Sequence, residues 1–220
     1  MFGGALVKQV KIFDSTLRDG AQGEGIAFSV EDKLNIVRAL DDIGVSYVEA
    51  GNPGSNPKDL EFFARAKELT LKNAKLCAFG STRRKGIAVE EDANVLSLLK
   101  AETGVVSLFG KCWDLHVTGI LNATLEENLA MIEETVRFFK DAGKEVVFDA
   151  EHFFDGYAEN PDYAMAALSA AVKGGADTLC LCDTNGAAYP TDVKNRTEKV
   201  CAAFPFCSIG IHCHNDTGMA

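Results

Sequence analysis

No stretch of this sequence stays apolar for the roughly 18 residues that a membrane-spanning helix needs. Its seven cysteines include no C-x-x-C pair, which removes the zinc-ribbon and thioredoxin classes. The thiols are odd in number: Cys77, Cys112, Cys180, Cys182, Cys201, Cys207 and Cys213. They are expected to be reduced, buried and used as small hydrophobes rather than joined in a disulfide framework. Positive charge is short as well, with 22 Lys and Arg against 32 Asp and Glu, a net charge of −10. A protein that grips a phosphate backbone needs a basic surface, so no nucleic-acid partner is expected. The opening "MFGGALVKQV" lacks the charged segment and apolar core of a signal peptide. A cytoplasmic protein without membrane contact is the expectation. No linker or low-complexity segment divides residues 1–220, which read as one domain. The G-x-G-x-x-G turn of a dinucleotide-binding sheet is missing too.

What is present is an alternation. Seven short apolar runs start at Val10, Val45, Lys75, Val105, Glu145, Thr178 and Ser208. Each is continuous, as in strands covered on both faces of a parallel sheet. The stretches between them carry helix signals. Thr124 and Glu127 form a T-x-x-E capping box pattern, and Gly143 stands at the expected C-terminal cap. Ser29 precedes an amphipathic run, and Asn56-Pro57 and Asn160-Pro161 each read as a cap and first turn. The strand starts recur at about 33 residues, the size of a βα unit. The fold class is therefore α/β, a TIM (β/α)8-type barrel with about seven strands, since eight units take roughly 250 residues. An open doubly wound sheet is the competing architecture.

Parallel barrels hold their chemistry at the C-terminal ends of the strands. The residues expected there are Arg18 and Asp19, Glu49, Ser81 to Arg83, Asp149, Glu151 and His152, Asp183 to Asn185, and His212 to Asp216. Strand alternation puts His212 and His214 on one face. Two imidazoles with a carboxylate such as Asp19 can hold one divalent cation and leave positions open for a substrate. The alternative is a pair of hydrogen-bonded surface histidines. The basic run "STRRK", Ser81 to Lys85, can meet an anion or can be a solvated loop.

These residues also form a recognisable series. "DSTLRDGAQGEG", "NPGSNPKD", "CAFGSTRRKG", "FGKCWDLHVT", "TLEENLAMI", "FDAEHFFDGY", "LCDTNGA" and "GIHCHNDTG" resemble the acyltransferases that condense acetyl-CoA with 2-oxo acids. These are the 2-isopropylmalate, homocitrate and citramalate synthases of the DRE-TIM metallolyase superfamily, and the citramalate branch is the nearest in detail. The resemblance runs from about Val10 to Ala220. It implies a divalent metal (Mg, Mn or Zn) on Asp19, His212 and His214. It implies that Arg18 holds the oxygen on which charge develops, with active-site roles for Gln22, Glu151 and Thr184. Pyruvate and acetyl-CoA would be the substrates, isoleucine biosynthesis the setting, and a homodimer the full-length state. Asn52 and Cys213 depart from the family pattern, where tryptophan and alanine are usual.

The family continues through an eighth strand, a further metal-site asparagine, a subdomain and a regulatory domain. None of these lies in the 220 residues. The chain is thus expected to be the N-terminal catalytic region, cut after strand 7 and inactive alone. A sister synthase acting on 2-oxoisovalerate or 2-oxoglutarate, an acyl-CoA lyase of the same superfamily, and a non-catalytic metal-binding fragment stand as alternatives.

Overall fold

The computed structural model describes residues 10–219. Seven strands form one sheet in the order β1-β2-β3-β4-β5-β6-β7, and every neighbouring pair is parallel. They are β1 (Phe13–Asp14), β2 (Tyr47–Glu49), β3 (Lys75–Ser81), β4 (Val105–Lys111), β5 (Glu145–Glu151), β6 (Thr178–Asp183) and β7 (Ser208–Cys213). Sequence order equals spatial order, which is the topology of a barrel and excludes the doubly wound alternative, whose strand order reverses.

The helices are α1 (Val30–Asp42), α2 (Pro57–Ala66), α3 (Ala93–Lys100), α4 (Asp114–Gly119), α5 (Leu125–Asp141), α6 (Phe153–Glu159), α7 (Pro161–Gly174) and α8 (Pro190–Ala203). Local chemistry sets their ends. Ser29 and Asp32 exchange side-chain and backbone bonds in a complete capping box on α1. Asn56 and Asn160 accept the N–H of Asp59 and Tyr163, with proline in the first turn of each helix. The box expected at α5 forms by half. Thr124 accepts the Glu127 N–H at 3.1 Å, but the Glu127 carboxylate pairs with Arg83 at 2.8 Å. A buried guanidinium outcompetes a solvated backbone N–H for that carboxylate.

Strand parity divides the sheet into two chemistries. Val48, Ala78, Val106, Leu108, Val146, Phe148, Leu179 and Leu181 face the helices and join Phe62, Phe63, Phe139 and Leu168 in the main core. The other face lines the inside of the curl. Its floor is Tyr47, Cys77, Val105 and Val147, sealed by the Tyr47 hydroxyl donating to Glu145 at 2.6 Å. Above it the inner face turns polar, with Glu49, Ser107 and Asp149 all buried.

Two strands are shorter than the sequence suggests. β1 spans two residues where Val10 to Thr16 was expected, because it has a partner only in β2 and the chain turns at Ser15, whose carbonyl accepts Arg18 N–H at 3.1 Å. β2 keeps pairing beyond Glu49 through Ala50 N–H to the Cys77 carbonyl at 3.0 Å. Gly51 then has φ +135°, with Asp59 Oδ2 only 2.5 Å from where a Cβ would stand. Asp59 is held there by the buried Lys33 ammonium at 2.5 Å and by the Asn52 N–H at 3.0 Å. Asn52 also accepts the Gly54 N–H through its side-chain oxygen at 2.9 Å. Its departure from the family pattern leaves this loop formed.

Among the described residues β1 and β7 are the two sheet edges and do not pair with each other. Ile12, just before β1, and Ile211 on β7 are each 56% exposed. Of the cysteines, Cys77, Cys112 and Cys182 are buried as expected, Cys180, Cys207 and Cys213 partly so, and Cys201 is exposed on α8. None is in a disulfide. No helix among the described residues is long and apolar enough to cross a membrane.

Gly156 packs α6 against the turn after β4. A Cβ there would meet the Cys112 carbonyl oxygen at 2.5 Å and Trp113 Cα at 2.9 Å. Backbone cannot yield as a flexible side chain can, so Gly156→Ala is expected to cost about 1–3 kcal/mol. Gly104→Ala has no atom within 4 Å of the new methyl and is expected to leave stability within about 1 kcal/mol. Urea midpoints of the two variants give the comparison.

Candidate metal and oxyanion site at the strand ends

The segment after β1 carries the first half of the site. Ser15 Oγ donates to Glu49 Oε2 at 2.6 Å, and Arg18 Nε donates to the same oxygen at 2.5 Å. Arg18 also reaches Asp19 Oδ1 through NH1 at 2.8 Å, and its guanidinium lies 4.1 Å from the centre of the Phe79 ring. Burial alone would lower the Arg18 pKa, but the charges of Glu49 and Asp19 and the Glu49 hydrogen bond outweigh it and raise the pKa above the usual value. Glu49 is wholly buried. It stood on the expected rim without an assigned role, and its position at the C-terminal end of β2 was the available signal.

The second half comes from β7, at the far edge of the sheet. Asp19 Oδ2 lies 3.6 Å from His212 Nε2 and 3.2 Å from His214 Nε2. The sheet therefore curls until its first and last strand ends face each other. One donor atom from each residue falls within 4.8 Å of the others. His214 Nδ1 sits 2.9 Å from the Thr184 carbonyl, which can only accept. That fixes the N–H on Nδ1 and leaves Nε2 with a lone pair aimed at a carboxylate oxygen. Two acceptors facing each other at 3.2 Å need a proton or a cation between them. Burial, more than offsetting the pull of Asp19, lowers the pKa of His212, which favours the neutral, ligating form. Two imidazole nitrogens and one carboxylate oxygen suit a divalent cation with open positions.

The remaining expected residues fall differently. Glu151 ends β5 with Lys111 Nζ at 2.5 Å. Thr184 Oγ1 accepts the His152 N–H at 3.0 Å, so this residue ties β5, β6 and β7 together. Gln22 is exposed on the 3-10 turn Gly20–Gln22. Asp183 is spent on the loop after β6, accepting the N–H groups of Ala187 and Ala188 at 3.2 and 3.0 Å. The basic run is largely neutralised. Arg83 is buried between Glu127 and Glu134, Arg84 pairs with Asp92 at 3.0 Å, and Lys85 reaches the Asn122 carbonyl. A cavity of about 320 Å³ lies beside it, lined in part by Phe109, Lys111 and Met131.

A parallel sheet in barrel order, with an Asp/His/His cluster and an arginine at its C-terminal rim, defines an α/β-barrel protein with an ionisable rim site. Residues 9–220 match the HMGL-like family, and the chain belongs to it. The motif resemblance is borne out among curated relatives. The (R)-citramalate synthase of Aquifex aeolicus is 56% identical over 98% of this chain and 41% of its own length. That of Sulfolobus acidocaldarius is 48% identical over 97% of this chain and 40% of its own. A homocitrate synthase of Saccharolobus islandicus is 34% identical over 96% and 44%. The chain thus spans about two fifths of the length of the citramalate synthases it matches. Among solved structures, the HMG-CoA lyase of Bacillus subtilis superposes with a TM-score of 0.77 at 23% identity, over 97% of this chain and 71% of that one. The lyase of Pseudomonas aeruginosa also gives 0.77, at 19% identity over 96% and 70%. At such identities these two speak for the fold alone.

Asp149 generates a pH effect. Burial, then the neighbouring Glu49 charge, raises its pKa to about 7. The folded state therefore binds a proton that the unfolded chain, with an ordinary carboxylate, releases near pH 4. The stability this supplies is complete below about pH 4 and is lost as pH rises to about 7. Asp149→Asn removes the effect. Relative to the parent, the variant is expected to gain up to about 1.4 kcal/mol per pH unit across that window and to level off above it. Urea unfolding at a series of pH values measures the difference, and a flat difference would contradict the assignment.

Proposed function

We propose that this chain carries the metal- and 2-oxo-acid-binding rim of an acyltransferase that joins the acetyl group of acetyl-CoA to pyruvate, giving citramalate and free CoA. The observation that carries the reading is the meeting of Asp19, His212 and His214 beside the anchored guanidinium of Arg18. The names of the relatives, at 47–56% identity, support the same chemistry.

Asp19, His212 and His214 would hold the cation, of which Mg, Mn and Zn are the candidates. A divalent ion supplies Lewis-acid polarisation of a ketone oxygen when bound. Arg18 has two of its N–H directions committed to Glu49 and Asp19, which leaves others for the oxygen that becomes negative as the new bond forms. The Phe79 ring below and Glu49 beside it prevent the guanidinium from turning away. Thr184 accepts from His152 and keeps its own hydroxyl proton to donate to the substrate. Glu151, steadied by Lys111, takes a proton from the acetyl methyl group or orients the water that later cleaves the thioester. Gln22, on the turn that follows Asp19, completes the substrate side. The methyl carbon loses a proton and bonds to the ketone carbon, the former ketone oxygen gains a proton, and water then cleaves the C–S bond to release CoA as its thiol. Among the described residues β1 and β7 do not pair, and water admitted between them would weaken electrostatic stabilisation. A segment closing that edge is part of the proposed complete enzyme. The 220 residues alone are expected to release no CoA from acetyl-CoA and pyruvate, and steady metal-dependent release of thiol would show that the site works without closure.

Manganese titration tests the reading directly. The chain is expected to bind Mn²⁺, and pyruvate is expected to bind only with Mn²⁺ present, ahead of 2-oxoisovalerate and 2-oxoglutarate. His212→Ala with His214→Ala should abolish Mn²⁺ binding at the rim. Arg18→Ala should weaken pyruvate about tenfold or more, the worth of a charge-assisted hydrogen bond, beyond any loss of Mn²⁺ affinity caused by freeing Asp19, and Arg18→Lys should recover only part, since the planar fork is lost. Undisturbed Mn²⁺ binding in the histidine variant would overturn the metal assignment, and preference for 2-oxoglutarate would favour a homocitrate-type reaction.

A further inference from the structure

A second group of ligand-type side chains lies on the inner face of the sheet, and the proposed reaction makes no use of it. Asp149 on β5 and Cys180 on β6 are register partners, and Cys182 follows on the same face of β6. One carboxylate oxygen of Asp149 and the two sulfurs lie within 4.8 Å of one another. We propose that Asp149, Cys180 and Cys182 form a second cation site, separate from the rim cluster, for a thiophilic divalent ion such as Zn²⁺ or Cd²⁺.

The geometry favours a cation over a disulfide. Residues two apart on a strand have Cα atoms about 6.6 Å apart, at the far limit of disulfide geometry. An ion about 2.3 Å from each sulfur bridges them without moving the backbone. The donor set selects the ion, since two thiolates exclude hard cations such as Mg²⁺ and suit zinc-like ones. Charge favours occupancy. Asp19, Glu49 and Asp149 all act on one guanidinium, that of Arg18, so the interior holds an excess of carboxylates. Glu49 is wholly buried, and its Oε1 has no hydrogen-bond partner among the described residues. Ser107 engages Asp149 Oδ2 at 2.9 Å and fixes that carboxylate in the way that outer partners orient ligands. Cys180 is partly buried, while Asp149 and Cys182 are buried.

Cobalt is the probe, in a chain whose rim site is disabled by His212→Ala and His214→Ala. One equivalent of Co²⁺ should bind with a near-ultraviolet sulfur-to-cobalt charge-transfer band. The band should fall to about half or less in Cys180→Ser and in Cys182→Ser, vanish when both are replaced, and persist in Cys201→Ser. Asp149→Asn should keep the band but weaken the affinity about tenfold or more, judged against the 10–100-fold losses seen even for outer partners. Far-ultraviolet circular dichroism checks that each variant folds. Cadmium NMR of the unsubstituted chain reports sulfur ligation without any substitution at the site. No charge-transfer band in the histidine variant, a band left undiminished in both cysteine variants, or the absence of any sulfur-ligated cadmium signal would each overturn the proposal. Mn²⁺ binding at the rim would be untouched by any of these results, so the two sites fail separately.

Discussion

The buried contact between Glu49 and Arg18 is the constraint on which the site depends. Glu49 has no exposure, and a carboxylate without solvent must be paired. Arg18 Nε and Ser15 Oγ both satisfy the same oxygen, so the segment after β1 is drawn onto the end of β2. That single attachment sets the guanidinium over Phe79, and the guanidinium in turn holds Asp19 by its other oxygen. Asp19 then has Oδ2 left to face the histidines. Removing either buried partner strands a charge, a far greater cost than losing a surface ion pair.

Strand parity lets such polar groups sit inside a stable molecule. The apolar core lies between sheet and helices, where Val48, Val106, Phe148 and Leu181 pack. The inner face closes at the bottom around Tyr47 and Val105 and carries carboxylates, thiols and histidines toward the top. Adhesion and chemistry therefore occupy opposite faces of the same strands. The helices and their caps stabilise the outer face and impose nothing on the inner one, so rim and interior side chains are free to follow the demands of binding.

Much of the fold was legible in the residues. β3, β4 and β5 match the expected runs end to end, because their helix-facing residues are apolar and β-rich and the limits of such runs show in composition. The caps at Ser29, Asn56 and Asn160 were equally visible, since they are local hydrogen bonds between residues three apart. The short helices α4 and α6 and the brevity of β1 were not, because they depend on what packs alongside. At the site, the same-face placement of His212 and His214 follows from strand period alone.

Tertiary structure decided the partners. Asp19 and His214 are 195 positions apart in sequence, and only the curl of the sheet brings them within 3.2 Å. In sequence the three basic residues of "RRK" could meet an anion or form a solvated loop. Folding gave Arg83 to Glu127 and Glu134 and Arg84 to Asp92, since burial forces cations to find carboxylates before any ligand arrives. Asp183 and Glu49 were alike in sequence, acids at strand ends. One became a loop brace and the other the anchor of the arginine, according to which N–H groups the fold set beside them. The sequence by itself determined the period, the caps and the chemical types on each strand face. Which acid meets which base was settled by the curl of the sheet, because those encounters are long-range and exist only once the strands stand in order.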